Sequence, residues 1–358
     1  MTDQTPPRLP TAGFPTRPLY DDRKTLLTVV GALVVACAIL MYVGGLIYAV
    51  VFPLMMRAVP ADEFGPGAWP FSTAMMLGYA VFMFAYGTAM TVLGIGLIRA
   101  RRWARAVSLA ACWVYAAGTL VGVCYLPFWM GRVTSFMTDP ALGGDPSLEG
   151  MSPVFFSVVM WGSMVFGLAM NLAVPVAGIL LLRSESVRLT VQDRDPFPRW
   201  TDRLSTAALA SGLVWVGGAS YGPLMLALLG THMAAAVGLS GGTGVALCLF
   251  ASAGAALIGW ATLRARPYSW MANVMGVVLY GGIGAYLVSR LDFTQFYRAL
   301  MPDNMPEEEL ASLYDMTEAL YGNPSAFIAP TLLITLAALG FLCWARPRFV
   351  PVSGSGRG

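Results

Sequence analysis

The sequence predicts an all-α integral membrane protein of eight transmembrane helices, arranged as two parallel four-helix repeats with an external amphipathic helix between the seventh and eighth. Three observations carry this reading. Of the 358 residues, 57% are hydrophobic and 11% charged, with a mean hydropathy of +0.66, whereas an ordinary soluble domain holds about 25% charged residues. The apolar residues fall into eight runs of membrane-crossing length. The phrase "LIRARRW" at 97–103 returns as "TLRARPY" at 262–268, each time at the end of an apolar run.

The first 22 residues are polar and carry Pro6, Pro7, Pro10, Pro15 and Pro18, so residues 1–22 read as a disordered tail. They lack the apolar core of a signal peptide, and insertion by the first transmembrane helix is expected. A bilayer crossing takes ~20 apolar residues, and the eight runs lie at 25–53, 72–98, 103–130, 153–182, 204–229, 234–262, 268–289 and 324–345. Ser152-Pro153 and Asn323-Pro324 each set a capping side chain before a proline at the first helical position. The fourth and eighth helices are expected to begin there. The repeats then span 23–190 and 191–349, followed by a flexible tail at 350–358.

Arginine placement gives the topology. The N-terminal tail, the loops after the second, fourth and sixth runs, and the C-terminal tail together hold 18 of the 22 Lys and Arg residues. Only Arg57, Arg132, Arg290 and Arg298 lie on the other side. Cytoplasmic loops are enriched in Lys and Arg, so both termini are expected in the cytoplasm, in a bacterial cytoplasmic (inner) membrane. Trp103, Tyr268 and Trp270 beside the two "RAR" phrases fit an interfacial aromatic belt.

Duplication explains why the phrase recurs. "VGGLIY" (Val43 to Tyr48) is followed by Pro53 to Met55, and "VGGASY" (Val216 to Tyr221) by Pro223 to Met225; Tyr115 falls opposite Tyr280 when Arg99 is laid on Arg264. Four helices per copy make the repeats parallel. Glycine in membrane helices lets backbones approach closely, so Gly44, Gly45, Gly217 and Gly218 are expected to pack the first helix on the fifth. The functional alternative is that Tyr48 and Tyr221, one turn on, point phenols into a shared cavity. Close-packing spacing also recurs at Gly118/Gly122, Gly238/Gly242 and Ala251/Ala255/Gly259.

Residue chemistry narrows the function more by what the sequence omits than by what it contains. No Asp, Glu, Lys or Arg lies in the middle of any run, which disfavours ion-coupled pumps and proton relays. The sole histidine, His232, falls at the outer end of the fifth run, the sole lysine, Lys24, in the tail, and the five cysteines form no CxxC pair. These facts disfavour multi-histidine metal or haem sites, a retinal-type Schiff base and a disulfide frame. Methionine, 21 in all, suits Cu(I) but more commonly fills gaps in apolar interiors. No catalytic residue, metal site or cofactor is predicted, and a net charge of +3 gives no nucleic-acid surface.

One outer loop has substance. Pro306 with Glu307, Glu308 and Glu309 opens a helix at the end that favours carboxylates. Leu310, Leu313, Tyr314, Leu320 and Tyr321 then form an apolar stripe along about 305–321. Its counterpart at 133–152 is shorter. The stripe either lies on the bundle and headgroups or docks a partner, and the loop's length favours the partner. The expected function is therefore a non-catalytic membrane subunit or scaffold of a larger assembly, with lipids and either other membrane subunits or an external soluble protein as partners. The alternative is a transporter or binding protein for a small apolar or zwitterionic solute.

Overall fold

The computed structural model describes residues 21–58, 68–138, 153–220, 241–290, 311, 314 and 325–349. Among these the chain is helical, with no strand. Its elements are α1 (Lys24–Leu46), a π-helical turn (Ile47–Val51), α2 (Phe52–Ala58), α3 (Ala68–Ile98), α4 (Arg102–Thr138), α5 (Pro153–Arg183) and α6 (Glu185–Arg194). A 3-10 turn (Trp200–Arg203), α7 (Thr206–Ser220), α8 (Gly241–Leu263), α9 (Ser269–Arg290), α10 (Ser325–Ala345) and a last 3-10 turn (Arg346–Arg348) follow. Among the described residues seven helical spans are long and apolar enough to cross a membrane, and α7 is described over 15 residues only. The chain is a multi-pass membrane protein.

The π-turn has a local cause. Pro53 carries no N–H, and its ring would clash with the carbonyl four residues back. The chain relieves this by widening the turn before it, where the Phe52 N–H reaches the Ile47 carbonyl. The helix then continues to Ala58, beyond the end at 53 expected from hydropathy.

Small residues set the tightest crossing. A Cβ on Gly31 of α1 would lie 2.6 Å from the Gly94 carbonyl oxygen of α3, and one on Gly87 would lie 3.3 Å from the Ala38 carbonyl oxygen. Those contacts fix an antiparallel register in which Gly31 faces Gly94 and Ala38 faces Gly87, and further along the Phe84 ring lies over Gly45. Each helix thus presents a small residue every seventh position, a spacing that keeps one face turned to its partner along its length. Tyr42 adds a polar tie, its phenol donating to Thr88 Oγ1 at 3.1 Å. In the second half a Cβ on Gly212 of α7 would meet Leu263 Cδ2 at 2.6 Å, and one on Gly259 of α8 would meet Val216 Cγ2 at 3.0 Å.

Both "RAR" phrases end their helices in the same way. The Ala100 N–H bonds the Leu97 carbonyl and the Arg101 N–H the Gly96 carbonyl; Ala265 bonds Thr262 and Arg266 bonds Ala261 in the same pattern. This pair of bonds needs a left-handed residue after the helix, and Ala100 and Ala265 adopt φ of 49° and 50°. Alanine stands where glycine is usual.

The deepest packing lies at the arginine-rich end. Leu27, Leu97, Ala104, Leu109, Ile179, Leu182, Val187 and Val191 draw α1, α3, α4, α5 and α6 together. Ala208, Leu342, Ala345 and Phe349 join α7 to α10, with Trp270 against them. Toward the middle of the bundle large apolar side chains face outward, Val174 at 76% and Phe250 at 78% exposure. That is the distribution expected where lipid tails replace water.

Candidate functional site

The segment 184–205, which hydropathy marks only as a charged loop, builds the first of two polar knots. Ser184 caps α6, its side chain accepting from the Val187 N–H, and Val187, Thr190 and Val191 form the buried face. Pro196 prevents Asp195 from continuing the helix, and Asp195 takes φ −130° and ψ 77°. Its carboxylate is thereby turned inward and is 1% exposed.

Three residues hold that carboxylate. Arg199 donates as a fork, Nη2 to Oδ1 at 2.8 Å and Nε to Oδ2 at 3.2 Å, and the Arg102 N–H donates to Oδ2 at 3.2 Å. Arg101 Nη1 stands 3.6 Å from Oδ1. Since Arg102 opens α4, Asp195 caps that helix at the end that favours negative charge. The knot extends outward: the Arg23 N–H donates to Thr190 Oγ1 at 2.9 Å, Arg194 Nη2 reaches Asp22 Oδ2 at 2.8 Å, and Arg105 Nε reaches the Leu182 carbonyl at 2.8 Å. The start of α1, the first "RAR" turn, the end of α5 and α6 are thereby tied into one layer.

Hydrogen bonding from Arg199 holds the Asp195 carboxyl below the ordinary value of 3.8, against desolvation, with the Arg102 N–H assisting. The Arg194 guanidinium lowers Asp22 likewise. A carboxyl whose folded pKa is depressed stabilises the fold above its unfolded pKa and loses that contribution as the pH falls through the folded one. Asp195→Asn is therefore expected to lower stability at pH 7 by about 2–3 kcal/mol, since Arg199 and Arg101 can turn to water. In thermal unfolding followed against pH, the gap from wild type should be widest near neutrality and should shrink below pH ~4. A gap that persists unchanged at pH 3 would contradict the role of the charge.

The second knot centres on Asn273, which is 0% exposed. Its Oδ1 accepts from Trp215 Nε1 at 2.7 Å and from the Ser211 hydroxyl; its Nδ2 donates to Thr262 Oγ1 and to the Ser269 carbonyl, both at 2.7 Å. Two donors and two acceptor positions are all used. Asn273 thus joins α7, α8 and α9.

The residues singled out by sequence are scattered. Gly45 is buried, with the Phe84 ring 3.2 Å from where its Cβ would stand, while Gly44, Gly217 and Gly218 meet nothing within 4 Å among the described residues. The same openness holds at Gly118, Gly122 and Gly242. The close crossings fall instead at Gly31/Gly94 and Gly212/Gly259. Gly45 lies beside Phe84, fifteen residues before Arg99, whereas Val216 lies beside Gly259, five before Arg264, so the two VGG motifs sit at different depths. Tyr48 stacks on Phe52 at 5.2 Å and lies 5.6 Å from Tyr79. Tyr115 donates to Asn171 of α5 at 2.7 Å, whereas Tyr280 donates to the Ala251 carbonyl of α8.

Tyr221, Glu307, Glu308, Glu309, Leu310, Leu313, Leu320 and Tyr321 lie outside the described residues. Tyr314 is described as helical and half-buried. Asp195 and Asn273 were not legible from hydropathy, although Asp195-Pro196 after a capped helix and a lone amide in an apolar run were the signals available. Among the described residues no three His, Cys, Asp or Glu side chains gather as a metal site. Comparison of the chain with family models, curated proteins and solved structures finds no match.

Proposed function

We propose that the chain is a non-catalytic integral membrane subunit or scaffold of a larger membrane assembly. One observation carries the reading: two deeply buried polar side chains, Asp195 and Asn273, direct their hydrogen bonds to their own chain and brace its helices at one end. Such groups stiffen a frame and leave no hydrogen-bonding capacity for a substrate. The sequence adds the lack of ionisable residues in the middle of the apolar runs. Its expected partners are lipids and either other membrane subunits or an external soluble protein. The protein partner would dock on the stripe Leu310, Leu313, Tyr314, Leu320 and Tyr321, beside Glu307, Glu308 and Glu309.

The finer architecture belongs to the same proposal. Residues 21–23 and 346–349 pack at one end, and α7 starts at the end where α8 finishes, which supports an even number of crossings, eight in all. The paired "RAR" turns and glycine crossings support two four-helix repeats. With arginines facing the cytoplasm, both termini are cytoplasmic in a bacterial inner membrane and 305–321 is external. The second reading, a carrier of a small apolar or zwitterionic solute, is favoured by the π-turn beside Tyr48, since such turns recur at functional sites.

An Asn304→Cys variant, modified in intact cells with a membrane-impermeant maleimide photo-cross-linker, tests subunit and orientation together. The expected result is labelling from outside and capture of one companion at stoichiometric yield. Labelling without a companion overturns the subunit reading. Labelling only after permeabilisation overturns the orientation.

A further inference from the structure

The arginines before and after α7 are placed differently. Before α7, Arg23, Arg101, Arg102, Arg188, Arg194 and Arg199 each meet an aspartate or glutamate. After α7, Arg264, Arg266, Arg346 and Arg348 are all exposed, and among the described residues none of these four meets a carboxylate. They lie over indoles instead. Arg264 and Arg266 stand 6.0 and 5.6 Å from the Trp260 ring centre, Arg346 4.9 Å from Trp270 and Arg348 3.6 Å from Trp344.

The sequence keeps this patch free of acid. No Asp or Glu occurs between Asp202 and Asp292 or after Glu318. The geometry also fixes the patch in place, because Trp270 Nε1 donates to the Leu342 carbonyl at 2.8 Å. That bond locks α9 to α10, and Arg346 sits over the same indole, four residues along the chain from Arg266. A guanidinium stacked on an indole keeps its N–H edge free, and that edge matches two phosphate oxygens at once. Tryptophan at this level marks the zone where headgroups meet hydrocarbon.

We propose that the arginine–tryptophan patch at the ends of α8, α9 and α10 binds the phosphate of anionic phospholipid headgroups. This rests on the membrane-spanning reading of the chain. Four cations with no carboxylate of their own leave a charge that a lipid phosphate complements, whereas six arginines before α7 already meet carboxylates of their own chain. The lipid is therefore held at one side of the bundle.

The test uses the full chain in detergent micelles doped with brominated phosphatidylglycerol or brominated phosphatidylcholine, with quenching of tryptophan fluorescence as the readout. Phosphatidylglycerol should quench at concentrations on the order of tenfold lower. The Arg346→Gln/Arg348→Gln protein should lose most of that preference. Arg346→Lys/Arg348→Lys should keep much of it, and so should Arg188→Gln, in which the exposed pair with Glu185 is removed. Equal quenching by both lipids in the wild type overturns the site, whether or not a variant folds. So does a preference unchanged in the double glutamine protein, or one abolished by millimolar inorganic phosphate, which would mark a free-anion site. Quenching by neither lipid would instead overturn the membrane-spanning reading beneath it.

Discussion

Replacing Asn273 by alanine is expected to destabilise the protein by about 3–4 kcal/mol, the largest effect of any single polar substitution. The amide has no solvent exposure, and its removal strands the Trp215 indole N–H, the Ser211 and Thr262 hydroxyls and the Ser269 carbonyl at once. A buried polar group left unsatisfied costs about 1–3 kcal/mol, and the lost volume adds a cavity. Ser211 and Thr262 can recover part of this by bonding back to their own helices, as Thr262 already does to the Ile258 carbonyl at 2.7 Å. Asn171→Ala supplies the comparison, because Asn171 is exposed and binds one tyrosine; it should cost under about 1 kcal/mol. Thermal unfolding in one detergent measures both. Equal shifts for the two variants would remove the central place given to the Asn273 knot.

Gly31→Ala should be nearly as damaging, through overpacking. Its Cβ would stand 2.6 Å from the Gly94 carbonyl oxygen, 2.7 Å from Ile98 Cγ1 and 2.9 Å from the Ile98 nitrogen. Two of those three atoms are backbone, so no rotamer change relieves the clash. The helices must separate, at a cost of about 1–3 kcal/mol. Gly44→Ala and Gly217→Ala meet nothing within 4 Å among the described residues and should be neutral or stabilising by up to about 1 kcal/mol through helix propensity. The measurement is the yield and melting temperature of the three variants side by side. Gly31→Ala matching Gly44→Ala would show that α1 and α3 are not held at backbone distance.

These variants also mark how far the sequence could be read. Helix class, the positions of seven spans and the concentration of arginine at one end follow from hydropathy and charge, because lipid imposes them on every residue of a run. Which glycine touches which neighbour does not follow, because that depends on helix rotation. A paired motif such as Gly44-Gly45 attracts notice, yet only Gly45 faces α3, and the contacts that close the crossing come from small residues seven apart. Asp195 was hidden for a related reason: a charged loop reads as solvated, and its inward turn arises from Pro196 together with Arg199 four residues on. Neither fact has a hydropathy signature.

The pairing of Gly31 with Gly94 and of Ala38 with Gly87 has an entropic consequence. Glycine and alanine have no side-chain rotamers to surrender when surfaces meet, so at these two points the backbones meet without freezing a torsion, and the rotamer cost of joining α1 to α3 falls on the flanking Val35, Tyr42, Phe84 and Ile98. In lipid, where burying apolar surface between helices brings little gain, the contact depends on dispersion between closely approached atoms. A junction of leucines would gain similar contact area but would freeze several torsions per residue. The α1–α3 pair therefore keeps more of its attraction as net binding than a junction of leucines would.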